Sequence, residues 1–159
     1  LLNNRQKAYI SGKIDFELEM MSHEQDSENM LDVLVLTGNM EDGMVLDSAN
    51  EERIYCPEYI KKYGERLHCG IRITSNHLNP VYVRNDILGI SKKPPRDGDT
   101  CILIHKPTGR AFIRKIQEGN PCQLLPINGY GDIITVDTND HTDMGQWLKF
   151  GVVIAVLRR

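Results

Sequence analysis

Ser75-Asn76-His77-Leu78-Asn79-Pro80 and, beginning 36 residues after His77, Ile113-Arg114-Lys115-Ile116 are the two stretches from which the rest of the chain is read. The first is polar and ends on proline, as a turn does. The second sets apolar residues around two basic ones, in the manner of a strand with one covered face. The same punctuation runs through the chain from Leu31 onward. Val33–Leu36, Arg53–Cys56, Leu67–Thr74, Val81–Val83 and Ile87–Ile90 read as short strands bounded by Gly, Pro or Asn. Cys101–His105, Ala111–Gln117, Gln123–Leu125, Ile133–Val136 and Phe150–Leu157 continue the series. Only Glu58–Tyr63, stopped by Gly64, predicts a helix. Asn85-Asp86 and Gly98-Asp99 each precede an apolar strand and read as tight turns, where Asn and Gly tolerate positive φ. The pattern predicts a mainly β fold of short strands with one short helix.

Length and composition bound the rest. A chain of 159 residues predicts one domain, 31–159, preceded by a polar, acidic linker or N-terminal arm over 1–30. Within that arm Ile14, Phe16, Leu18 and Met20 alternate with acids, a strand pattern over 14–20 suited to pairing with another chain. The net charge of −3 supplies no basic field for nucleic acid. No apolar run approaches the ~20 residues of a membrane span, and no signal-peptide pattern opens the chain, so a cytoplasmic protein without membrane contact is expected. Cys56, Cys69, Cys101 and Cys122 are widely spaced with no CxxC, so reduced thiols are expected and neither a metal nor a cofactor. His68-Cys69 with His77 offers metal-binding residue types, but strand alternation points 68 and 69 to opposite faces. The chain opens on Leu rather than Met, which suggests a domain upstream.

The two opening stretches, taken in order with what surrounds them, resemble the C-terminal domain of LexA and of the phage repressors that cut themselves. In that family a Gly-Asp-Ser-Met-x-Pro segment carries a nucleophilic Ser, and a later Val-Lys-Arg-Leu-like strand carries a Lys base. Asn76–Pro80 is similar to the first and Ile113–Ile116 to the second, at the family's spacing. Val81–Asp86 and Pro95–Asp99 resemble segments leading to two Gly-Asp turns. Gln123–Asn128 is similar to a Leu-Pro-x-Asn segment, and Phe150–Val153 to a closing Gly-x-Val strand. Gly38–Gly43 stands where the family carries its cleavage segment, so the scissile pair would be Asp42-Gly43. The resemblance covers about residues 31 to 159 and implies a LexA-like, signal-peptidase-like β-fold.

It also implies that the chemistry is gone. A Ser-Lys dyad needs a compact hydroxyl and an amine that loses its proton when desolvated. The Ser position reads His77 and the Lys position Arg114, whose guanidinium stays protonated in proteins. His77 and Arg114 are thus a vestigial dyad, and Asp42-Gly43 a vestigial cleavage site. What remains is the family's second role, association. The chain is expected to be the dimerisation and regulatory domain of a phage- or mobile-element-type repressor that does not cut itself. Its partners would be a second copy, operator DNA through an upstream domain, and an antirepressor protein that relieves repression. Val152–Leu157 is too continuous for a strand with one wet face, so it is buried on both faces or shared with a second subunit. The resemblance puts this region near the family's dimer contact, which singles out Val152, Val153, Ile154 and Val156. Two other readings stand beside this one. One is an active peptidase, with Ser91 and Lys92 or Lys93, or Ser75 and Lys115, as its dyad. The other is an interaction module that holds a peptide strand in the empty cleft.

Overall fold

The computed structural model describes residues 29–38 and 43–158, the side chains of 48–50 excepted. The expected strand over 14–20, almost all of the arm over 1–30, and Asp42 lie outside the described residues. Strands β1 (Met30–Gly38) and β2 (Met44–Tyr55) pair antiparallel. Helix α1 (Pro57–Tyr63) and a single 3₁₀ turn (Gly64–Arg66) lead into β3 (Cys69–Ile73) and β4 (Ile87–Ser91). Then come β5 (Thr100–His105), β6 (Arg110–Gln117), β7 (Cys122–Pro126), β8 (Ile134–Val136), helix α2 (His141–Gly145) and β9 (Trp147–Leu157). The fold is mainly β, as the strand pattern predicts.

The strands lie in one mixed sheet in the order β2-β1-β3-β4-β9-β5-β6-β7-β8, with β1 and β3 parallel. Met44 of β2 also pairs with Ala111 of β6, so the strands from β2 round to β6 close on themselves like a barrel. β7 and β8 continue the sheet beyond the closure.

The two-residue period decides what fills this frame. Leu36, Ile71, Ile73, Leu88, Ile90, Ile102, Ala111 and Ile113 come from strands all round the closure and form one cluster, joined by Leu78 and Tyr82 from the β3–β4 connection. Their alternating neighbours Cys101, Leu103, Ile116 and Val152 form a second cluster on the outer face with Leu124 of β7 and Val136 of β8. A third cluster, Leu31, Val33, Ile54, Cys56 and Ile87, lies under Tyr59 and Ile60 of α1.

β9 runs between β4 and β5, which explains its continuous apolar run: both faces meet packed side chains. Val152 pairs with Ser91 on one side and Cys101 on the other and is 1% exposed, so it belongs to the core and reaches no surface. Beyond it the two neighbours part. Val153, Ala155, Val156 and Leu157 register with β4 alone, and Ile154 is the extra residue of a bulge.

The structure differs from the sequence reading in the β3–β4 connection and before β9. Val81–Val83 is a turn, not a strand. The Tyr82 amide bonds Leu78 O at 3.0 Å and the Val83 amide bonds Asp86 Oδ2 at 2.9 Å, so neither is left for a sheet partner. α2 has only five residues, too few to print a helical period. Its N-cap Asp140 accepts from the amides of Thr142 and Asp143 at 2.9 and 3.3 Å.

Gly151 of β9 leaves no room for a side chain where it passes the end of β4. A Cβ there would meet the Ser91 carbonyl oxygen at 2.8 Å, a backbone atom held in the ladder. Gly151→Ala is expected to lower stability by about 2 kcal/mol through overpacking, read from urea unfolding midpoints.

Candidate functional site

The residues of the expected dyad sit in different surroundings. His77 is exposed in the β3–β4 connection, with Nδ1 3.1 Å from Ser75 Oγ. That turn is anchored from both sides. Leu78 is fully buried in the first cluster, which also holds Ile113, and Asn128 Nδ2 donates to the carbonyls of His77 and Asn79 at 2.9 and 3.0 Å. The Gln123–Asn128 segment thus clasps the turn over 75–80, a tie between two segments that the sequence reading took separately.

Arg114 stands on β6 opposite Cys101 of β5 and Pro126 of β7. Its neighbour Ile113 points into the first cluster, so alternation sends Arg114 to the outer face. There it is 3% exposed. Nη1 donates to the Ile113 carbonyl at 3.0 Å and the guanidinium lies 5.3 Å from the Phe112 ring centroid. Its Nε has no hydrogen-bond partner among the described residues. Burial pulls the guanidinium below its ordinary value, and the Asp132 charge opposes the shift. The side chain opens on a cavity lined by His105, Phe112, Asp132, Ile134 and Trp147, and His77 is not part of that lining. Gly43, the described half of the expected scissile pair, is buried against the same strand. A Cβ on it would meet the Phe112 ring at 2.7 Å, and its φ is +85°.

The alternative dyads are also set apart. Ser91 is buried and its Oγ accepts from the Lys93 amide at 3.2 Å. The Lys92 amine donates to Phe150 O at 2.9 Å, and the Lys93 amine lies 3.9 Å from Asp99. Ser75 pairs with His77, while Lys115 is exposed on β6. The Ser75–His77 pair has no carboxylate on the imidazole among the described residues, the group that orients the base in a catalytic triad.

Both tight turns occur as read, with Asn85 at φ 75° and Gly98 at φ 85°. His68 is exposed and Cys69 buried, on opposite sides of the chain as alternation requires. Burial pushes the Cys69 thiol up to about 11 and the Cys101 thiol up to about 12, so both stay protonated. No protein-family model matches the chain, and no curated protein matches it significantly. Among the described residues no helix is long and apolar enough to cross a membrane.

Asp86, which the sequence marks only as half of a turn, is a tightly held charge of this region. It is 1% exposed and accepts from Arg158 Nε and Nη2 at 3.0 and 2.8 Å and from the Val83 amide at 2.9 Å. The bond from Arg158 foremost, opposed by burial, holds its carboxyl below the ordinary 3.8. Asp86→Asn is expected to cost about 2 kcal/mol at neutral pH. A depressed folded-state pKa gives stability that is complete above the unfolded value of 3.8 and lost as pH falls through the lower folded value. The gap between wild type and variant therefore narrows on acidification through that window, measured by urea unfolding from neutral pH down to about pH 2.

Proposed function

We propose that this chain is the association and regulatory domain of a transcriptional repressor that does not cut itself, relieved by a partner or ligand rather than by proteolysis. The observation that carries the reading is Arg114. It holds the position where the resembled family has its base, yet it is a buried guanidinium on the outer face of β6, beside a cavity that His77 does not line. A guanidinium does not take a proton from a hydroxyl. The resembled segments also form a connected set, since Asn128 ties the turn over 75–80 to β7, and β7 pairs with β6.

The association role is supported by β9. Among the described residues, Val153–Leu157 pair only with β4, which leaves one edge of an apolar strand beyond the end of β5. Val153, Ile154 and Val156 there are half-buried. The Tyr59 hydroxyl donates to the Val156 carbonyl at 2.9 Å, and the rest of this edge has no strand partner among the described residues. An edge of this composition favours pairing with another strand, and a second copy supplies one by two-fold symmetry. DNA would be read by a domain upstream, and an antirepressor would act on the subunit equilibrium.

Incubation at alkaline pH is expected to leave the chain whole by mass spectrometry, and so is the variant carrying His77→Ser with Arg114→Lys. A cut between Asp42 and Gly43 in either protein contradicts the reading. Sedimentation equilibrium is expected to give a dimer at micromolar concentration, and Ile154→Asp to weaken it without lowering the unfolding cooperativity of the subunit. A folded wild-type chain that stays monomeric at high micromolar concentration would make a peptide-binding module the better account of this edge.

A further inference from the structure

The cavity over the outer face of β6 holds about 600 Å³, within the ordinary range for a small-molecule site. Its walls are aromatic. The His105 and Trp147 rings lie 4.8 Å apart between centroids, and Phe112 meets Trp147 edge-on at 5.6 Å. Its floor is Arg114, 97% buried, with Nε unpartnered and no carboxylate within ion-pairing distance among the described residues. A buried cation is kept when an anion or a full set of acceptors satisfies it. Here a single carbonyl accepts from it, which falls short of a full set, and a guanidinium offers five donors in a plane that matches a carboxylate.

Asp132 refines the choice. Its exposed carboxylate lines the same cavity and repels a simple anion while attracting an ammonium group. The aromatic walls offer stacking to a planar ring. We propose that this cavity binds a free aromatic α-amino acid, with its carboxylate on Arg114, its ring against Trp147 and Phe112, and its ammonium group toward Asp132. The inference stands on the cavity and does not depend on the repressor reading.

Trp147 is the single tryptophan, so its fluorescence reports the site in the intact chain. The full chain is titrated with phenylalanine, phenylacetate and phenethylamine, none of which contributes an indole signal. Phenylalanine is expected to give a saturable change with a Kd of about 1 mM or tighter. Phenylacetate should bind about tenfold more weakly, and phenethylamine should not saturate. Arg114→Gln should weaken phenylalanine by at least about tenfold. Asp132→Asn is exposed and leaves packing untouched. It should bring phenylalanine and phenylacetate to within about threefold of each other, and it decides the matter should Arg114→Gln fail to fold. The proposal is overturned by no saturable change with phenylalanine, by phenylalanine binding that Arg114→Gln leaves intact, or by phenylacetate binding more tightly than phenylalanine to the wild type.

Discussion

The two-residue period of β6 is the constraint on which the rest of this structure depends. Ala111 and Ile113 face the inside of the closed strands, and Arg114 and Ile116 face outward. The inside is filled mainly with aliphatic side chains, with Tyr82 among them. Arg114 lies on the outer face, and the sheet extension through β7 and β8 covers it there with Trp147. That cover buries Arg114 without supplying a counter-charge, and the cavity is what remains between them. Leu78 of the turn over 75–80 belongs to the inner cluster, and His77 does not line the cavity beside Arg114.

Much of this fold was legible in the sequence, because strands announce themselves by alternation and by the Gly, Pro and Asn residues that end them. Ile87–Ile90, Cys101–His105 and Ala111–Gln117 fall on strands within a residue of their ends, and Asn85 and Gly98 take the positive φ read for them. What stayed hidden was non-local. The spacing between His77 and Arg114 orders two segments along the chain but does not say on which face of β6 each one packs. Val152–Leu157 read equally as a core strand and as an interface. Only its insertion between β4 and β5 assigns Val152 to the first and leaves the remaining residues beyond the end of β5. The turn at Val81–Val83 imitates a strand in composition, and the bond from the Val83 amide to Asp86 is what prevents one.

β9 carries the consequences at both of its ends. Trp147 begins it and forms a wall of the cavity, while Val153–Leu157 finish it beyond the end of β5. In the proposed account the edge serves association and the cavity serves a ligand, and one strand paired to β4 and β5 spans the distance between them.

The central claim is that the side chains of residues 77 and 114 do not form a common site. A double-mutant cycle in unfolding free energy tests it most directly, with His77→Ala, Arg114→Met and the two combined. Residues without shared contacts add to within about 0.5 kcal/mol, and the account predicts that result. A coupling of about 1 kcal/mol or more would place the two side chains against one another and contradict it.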